Sequence, residues 1–99
     1  MTSQPVSVRV RVRGRVQGVG FRWATHGEAA RLGWTGWVRN VAADGSVECR
    51  LQGAREVVDV ALAWLREGPP GARVEGLDVD DVPWDETLTG FEIRPTLRD

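Results

Sequence analysis

The segment that most constrains the fold of this 99-residue chain is an alternating run that leads directly into a glycine-rich loop. Val6, Val8, Val10 and Val12 alternate with serine and arginine. A period of two predicts a β-strand that is buried on one face and exposed on the other. The rest of the chain must therefore supply a layer that covers the valine face.

The loop and the start of the next helical pattern, Gly14–Arg22 (GRVQGVGFR), have the composition of an anion-binding site. Three glycines in seven positions allow the backbone to turn its N–H groups inward around a concavity. A helix is predicted to begin near Phe21. Its first N–H groups and the positive end of its dipole also favour an anion. Arg22 adds a fixed charge and a planar fork of donors. The segment predicts a site for a small, highly charged oxyanion.

Three familiar chemistries of such loops do not fit these residues. The chain contains no lysine, which excludes a nucleoside-triphosphate P-loop. Trp23 stands where a dinucleotide-binding fingerprint requires its third glycine. The only cysteine, Cys49, lies far from the loop, so the sequence offers no cysteine nucleophile for a covalent phosphoryl-enzyme.

The residues after the loop predict a helix and then a β-hairpin. One face of the helix collects Phe21, Thr25, Ala29 and Leu32, and Gly33 is expected to end it. The hairpin has predicted strands over Trp34–Ala42 and Ser46–Gln52, a turn at Ala43–Gly45, and inward-facing Val47, Cys49 and Leu51.

The second half of the chain predicts another helix and further strands. The helix extends over Ala54–Glu67 with an apolar stripe of Val58, Ala61, Leu62 and Leu65. A fourth strand over Arg73–Val82 loses its alternation near Gly76, which favours a bulge, and Phe91–Arg94 is short and strand-like. The order β-α-β-β-α-β, in which the last strand is either continuous or broken in two, predicts an α+β, ferredoxin-like sandwich. Two helices would cover one face of an antiparallel sheet.

Two separated parts of the sequence resemble the signatures of the acylphosphatase family. The first comprises Gly14, Val16–Val19 and Phe21–Arg22, and the second comprises Gly36–Asn40 with Gly45, Val47 and Glu48. The resemblance extends from about Val8 to Arg94 and implies hydrolysis of an acyl phosphate to a carboxylate and inorganic phosphate. The sequence departs from the family pattern at Val41, where a hydroxyl residue is often found.

The resemblance also implies a role for each signature residue. Arg22 corresponds to the phosphate-binding arginine and Asn40 to the asparagine that positions the attacking water, so these two are the expected catalytic residues. The expected phosphate-binding residues are Arg15, Val16, Gln17, Gly18, Val19, Gly20 and Arg22. Inorganic phosphate, as product, is expected to inhibit competitively, and no cofactor is implied. Without the resemblance, Asn40 would be interpreted as satisfying the backbone near a hairpin.

Composition and charge favour a single cytoplasmic domain. The chain is long enough for one core, so one domain over residues 1–99 is expected, with a loose tail at Met1–Pro5. A formal charge of −1 gives no general attraction to nucleic acid or acidic membranes. No apolar run approaches a membrane span, and the amino terminus lacks the apolar core of a signal peptide. We expect a cytoplasmic monomer without nucleic-acid or membrane partners.

Other chemically distinctive side chains have ordinary interpretations. The chain has one histidine, and its acidic residues are not spaced as a ligand set, so no metal site is expected. His26 is expected to be a solvated helix residue and Cys49 a small core residue. The five tryptophans are expected to serve packing, although Trp23 and Trp37 lie close enough to the two signatures in sequence to border the pocket.

Two functions of other classes are kept as alternatives. One is a non-catalytic module that recognises phosphate or carbamoyl phosphate, and the presence of both Arg22 and Asn40 favours the enzyme over it. The other is an RNA-binding domain of ferredoxin-like fold, in which the arginines of Arg9–Arg13 would line an open sheet face. No aromatic residue interleaves with these arginines, so pairing with carboxylates such as Glu48 is favoured.

Overall fold

The alternating segment forms a long strand with the other elements arranged around it. The structure is a computed structural model in which residues 4–98 are described. Its elements are β1 (Pro5–Arg15), α1 (Phe21–Leu32), β2 (Thr35–Asn40), β3 (Val47–Ala54), α2 (Arg55–Glu67), β4 (Arg73–Asp81) and β5 (Phe91–Ile93). Of the predicted tail, residues 1–3 lie outside the described residues, and Pro5 already belongs to β1.

The strands form one sheet in the order β4-β1-β3-β2-β5. The pairs β4–β1, β1–β3 and β3–β2 are antiparallel, as predicted, but β5 lies parallel to β2, with Gly36 opposite Phe91. The prediction of an antiparallel sheet is therefore wrong at this edge, and the sheet is mixed. β4 and β5 lie on opposite edges, so they are not two halves of one strand.

The connection between β4 and β5 crosses one end of the sheet because buried polar side chains hold it there. The Gln52 side chain donates to the Asp85 carbonyl (2.8 Å) and accepts from the Asp85 N–H (3.0 Å). Ser7 and Arg50 both donate to the carbonyl of Pro83. Side-chain alternation alone does not encode these contacts, which explains why the direction of β5 was not predicted.

The predicted irregularity near Gly76 is a β-bulge. Arg13 pairs with Gly76, but the next residue, Gly14, pairs with Val74, so Glu75 is the extra residue of β4. Gly14 has φ +131°, and a Cβ placed on it would lie 2.1 Å from the carbonyl oxygen of Arg73. A glycine is required where the two backbones approach this closely. After the bulge, β1 pairs with β4 in a shifted register through Gly14 and Arg15.

The core lies between the valine face of the sheet and the two helices. It contains the inward-facing valines of β1, residues Val47, Cys49 and Leu51 of β3, and Val58, Ala61 and Leu65 of α2. From α1 it takes Phe21, Thr25 and Ala29. Leu32 was predicted to share this face but is 39% exposed. After Gly33 the chain reverses, and Trp34, which is 3% exposed, fills the core at that end of the helix in place of Leu32.

Candidate active site

The glycine-rich loop between β1 and α1 presents an uninterrupted row of backbone donors. Gly18 (φ +76°) and Gly20 (φ +75°) adopt the left-handed conformation, and Gly20 is the N-cap of α1. Within residues 4–98, none of the backbone N–H groups of residues 16–23 donates a hydrogen bond to another group of the chain. Left-handed glycines that alternate with other residues turn successive N–H groups to one side. The loop and the first turn of α1 thus retain unpaired donors for an anion.

Two arginines flank this row of donors. Arg22 is half-buried in the first turn of α1, and Arg15 is exposed at the end of β1. Neither guanidinium forms an ion pair with a carboxylate among the described residues. Their positive charge is therefore not neutralised by the protein, and it adds to the positive end of the α1 dipole. The site favours a guest with more than one negative charge.

Asn40 is the last residue of β2 and faces the helix side of the sheet. It pairs with Val47, and the inward-facing Val38 pairs with Cys49, so Asn40 lies on the same face as these core residues. Its carbonyl accepts from the N–H of Leu97 (2.9 Å), which fixes its backbone from the neighbouring segment. Its half-buried side chain makes no hydrogen bond within the described part of the chain. An amide in this state is free to bind a water or a ligand.

The side chain of Gln17 connects the loop to the end of β2. Its Nε2 atom donates to the carbonyl of Val41 (3.1 Å) and to the carbonyl of Ser46 (3.0 Å). Val41 directly follows Asn40 in the chain. The loop, with Arg22 just after it, and the strand that carries Asn40 therefore meet in space, although Arg22 and Asn40 are 18 positions apart in the sequence and belong to different elements.

The side chain of Asp44 stabilises the turn between β2 and β3. The sequence predicted the turn but not this stabilising contact. The Asp44 carboxylate accepts from the Ser46 N–H (3.0 Å) and hydroxyl (2.6 Å), and from Arg11 (2.9 Å). These hydrogen bonds to Ser46, assisted by the charge of Arg11, lower the pKa of the Asp44 carboxyl. An aspartate two residues before a serine in a turn is the sequence signal for such a contact.

Of the two tryptophans close to the signatures in sequence, one lies on the opposite side of the sheet from Asn40. Trp37 pairs with Arg50 and therefore lies on the open face of the sheet, opposite to Asn40. Its ring is covered by the guanidinium groups of Arg39 (4.7 Å) and Arg94 (4.9 Å). Trp37 therefore serves packing, as expected of the tryptophans, and does not lie beside Asn40, because a strand places residues an odd number of positions apart on opposite faces. Trp23, in the first turn of α1, is 70% exposed.

His26 and Cys49 take no part in the row of donors. His26 is half-buried against Phe91, with ring centroids 6.4 Å apart, and it lines a cavity of about 290 Å³ with Trp34 and Gly33. It is thus less solvated than predicted. Cys49 is fully buried, and burial, followed by the nearby charge of Glu48, raises the pKa of its thiol. The prediction of a core cysteine is confirmed, and the protonated thiol is a poor nucleophile.

The open face of the sheet is a network of charged pairs. Glu48, which is 3% exposed, pairs with Arg39 (2.7 Å), Arg9 (3.7 Å) and Arg11 (3.8 Å). Arg13 pairs with Asp78 at 2.9 Å. The prediction that the arginines of β1 pair with carboxylates is confirmed.

Two general features of residues 4–98 bear on the chemistry. Among them, no three histidine, cysteine, aspartate or glutamate side chains are grouped so that they might hold a metal ion. Neither of their helices is long and apolar enough to cross a membrane.

Comparison with known proteins identifies relatives over most of the chain. Residues 8–93 match the acylphosphatase family. An acylphosphatase of Rubrobacter xylanophilus is 50% identical over 91 residues, which is 92% of this chain and 82% of the relative. The structures of acylphosphatases from Coxiella burnetii and Bacillus subtilis superpose on it with TM-scores of 0.84 and 0.83, at 34% and 31% identity. The superpositions cover 91% and 90% of this chain, and 93% and 98% of those chains.

Proposed function

This chain belongs to the acylphosphatase family and hydrolyses acyl phosphates, and we propose that Arg22 and Asn40 perform this reaction at the glycine-rich loop. The observation that carries the assignment is the contact of Gln17 with the carbonyls of Val41 and Ser46, since it brings the loop with its unpaired donors to the end of the strand that carries Asn40. An acyl phosphate, R–CO–O–PO₃²⁻, has the small, doubly charged group that these donors favour.

The loop binds the phosphoryl group of the substrate. The N–H groups of the loop hold its oxygens, and the guanidinium of Arg22 neutralises the charge that spreads over them in the transition state. The residues assigned to this role are Arg15, Val16, Gln17, Gly18, Val19, Gly20 and Arg22. Preorganised donors contribute most when they are not occupied by other acceptors, and the row of unpaired N–H groups supports this assignment.

The side-chain amide of Asn40 holds a water in line with the leaving group. The water oxygen forms a bond to phosphorus while the bond from phosphorus to the acyl oxygen breaks, which releases a carboxylate and inorganic phosphate. A carboxylate is a good leaving group, so positioning and charge stabilisation suffice without strong acid catalysis. The water proton passes to a phosphate oxygen of the substrate. We therefore expect turnover to depend weakly on pH around neutrality.

Replacement of Asn40 tests this function. Hydrolysis of benzoyl phosphate, followed by absorbance, is compared between the native chain and Asn40→Ala. We expect Asn40→Ala to lose about 10²–10³-fold in kcat, the usual effect of removing one preorganised group, with the inhibition by inorganic phosphate unchanged. If the Asn40→Ala variant is folded and fully active, Asn40 does not position the attacking water. A native chain that binds phosphate without turnover would instead be a recognition module.

The setting of the enzyme is part of the same proposal. We propose that the protein acts in the cytoplasm as a single-domain monomer, without metal or nucleic acid, and that inorganic phosphate inhibits it competitively. The net charge of −1 and the pairing of the open-face arginines support the absence of a nucleic-acid partner. Light scattering after size exclusion measures the mass, and assay in excess EDTA measures metal dependence. A dimer mass or loss of turnover in EDTA would contradict the respective statement.

A further inference from the structure

The side chain of Gln17 is the structural link between the two halves of the candidate site. It makes the only side-chain hydrogen bonds that residues 16–20 form within the described chain, and both come from Nε2. A primary amide nitrogen has two hydrogens, and here each has its own carbonyl acceptor, on Val41 and on Ser46. The contact is specific for a neutral amide, because a carboxylate in its place would face two carbonyl oxygens.

The two acceptors are the carbonyls that close the β2–β3 hairpin. The N–H of Val41 donates to the carbonyl of Ser46 (2.9 Å), and the N–H of Gly45 donates to the carbonyl of Val41 (3.1 Å). Gln17 thus adds two side-chain hydrogen bonds to the backbone of this residue pair, of which Val41 directly follows Asn40. The turn itself, residues 42–45, is exposed, and Asp44 holds it to Arg11 of β1. The contact between the loop and the two residues that flank this turn comes from the Gln17 amide.

Asn40 needs such a link because its own side chain has no hydrogen-bond partner among residues 4–98. The backbone carbonyl of Asn40 accepts a hydrogen bond from the N–H of Leu97, but that contact does not connect Asn40 to the loop. Water attack in line with the leaving group requires the amide of Asn40 and the bound phosphoryl group to keep one relative position. A misplacement of about 1 Å typically costs about 10²-fold in rate.

We infer that Gln17 is a positioning residue that sets Asn40 relative to the phosphate loop, in addition to the backbone donor that it contributes to that loop. This inference rests on the proposed function of Asn40. It separates two roles within one residue: the N–H belongs to phosphate binding, and the side chain belongs to the geometry of water attack.

The test is the replacement Gln17→Met, which keeps the length of the side chain and removes its donors. We expect kcat on benzoyl phosphate to fall about 10- to 100-fold, with the inhibition constant for inorganic phosphate unchanged within about threefold. Gln52→Met is the matched control, since Gln52 also makes two hydrogen bonds to backbone, on Asp85, but at the opposite end of β3. It should lower stability without lowering kcat.

A double-mutant cycle with Asn40→Ala distinguishes positioning from a structural effect. If Gln17 acts through Asn40, Gln17→Met should change the residual rate of Asn40→Ala by less than about threefold. The same large factor in both backgrounds, a parallel loss of phosphate inhibition, or an equal loss in Gln52→Met would each overturn the inference. If Gln17→Met does not fold, Gln17→Asn, whose amide is too short to reach both carbonyls, replaces it in the cycle.

The cycle also separates this inference from the proposed function. Asn40→Ala with native activity removes the role of Asn40 and, with it, the inference about Gln17. Asn40→Ala with the expected loss, together with Gln17→Met of native activity, leaves the proposed function intact and overturns the inference alone.

Discussion

At the scale of single residues, the site depends on charge that the protein leaves unpaired. Arg39 and Arg11 on the open face have carboxylate partners, whereas Arg22 has none among the described residues. An unpaired, half-buried guanidinium beside unpaired N–H groups is unfavourable in the empty enzyme and is stabilised by a bound dianion. The role that we propose for Arg22 therefore belongs to the complex with phosphate rather than to the fold.

Replacement of Arg22 should consequently affect activity far more than stability. We expect Arg22→Ala to lose at least about 10²–10³-fold in kcat/KM and to lose inhibition by inorganic phosphate, because both substrate and inhibitor lose the same cation. Arg55→Ala is the control, since Arg55 is an exposed arginine in the first turn of the other helix. Assays with benzoyl phosphate and thermal melts measure the two effects. Arg22→Ala with native phosphate inhibition would contradict the assignment.

At the scale of elements, the hairpin β2–β3 carries Asn40, for which we propose the water-positioning role, and is held at its tip by Asp44. The hydrogen bonds from Ser46, with the charge of Arg11, favour the ionised carboxylate in the folded state. A carboxyl whose pKa is lower in the folded state stabilises the protein above its unfolded pKa of about 3.9. That stabilisation is lost as the pH falls through the folded pKa.

The replacement Asp44→Asn should therefore have an effect that depends on pH. Asparagine keeps an oxygen acceptor for Ser46 but loses the charge, so we expect the variant to be less stable than the native chain at pH 6. The difference should shrink as the pH falls below about 4, where the native carboxyl also becomes protonated. Urea unfolding at both pH values measures it, with Asp59→Asn, an exposed carboxylate of α2, as control. A difference that is equal at both pH values would contradict this account.

At the scale of the whole molecule, the sequence predicted what depends on local periodicity and failed where distant contacts decide. The alternation of β1, the stripe of α2 and the slip near Gly76 all follow from neighbouring residues, and each was confirmed. The parallel direction of β5 depends on Gln52 holding Asp85. Leu32 is displaced from the core by Trp34, and Trp37 lies on the face opposite to Asn40. The link from Gln17 to the hairpin has no local signature.

The candidate active site and the main ion-pair network lie on opposite faces of the sheet. The helix-covered face carries Asn40, whereas Glu48, paired in register with Arg39 and Arg11, lies on the open face and holds their charges together. Removal of this buried carboxylate takes the carboxylate partner from Arg9 and Arg39, while Arg11 keeps Asp44, and all three arginines retain contact with water. The expected cost is about 1–3 kcal/mol, less than for a wholly buried pair.

Replacement of Glu48 by alanine should thus lower stability while leaving catalysis intact in the folded protein. We expect Glu48→Ala to shift the urea midpoint downward and to keep kcat on benzoyl phosphate within about threefold of the native value at 25 °C, since no site residue contacts Glu48. Asp80→Ala is the control, because Asp80 is an exposed carboxylate opposite Arg9 on the same face. It should change neither quantity appreciably. A loss of kcat comparable to that of Asn40→Ala would contradict this prediction, because it would show that Glu48 affects the site from the opposite face of the sheet.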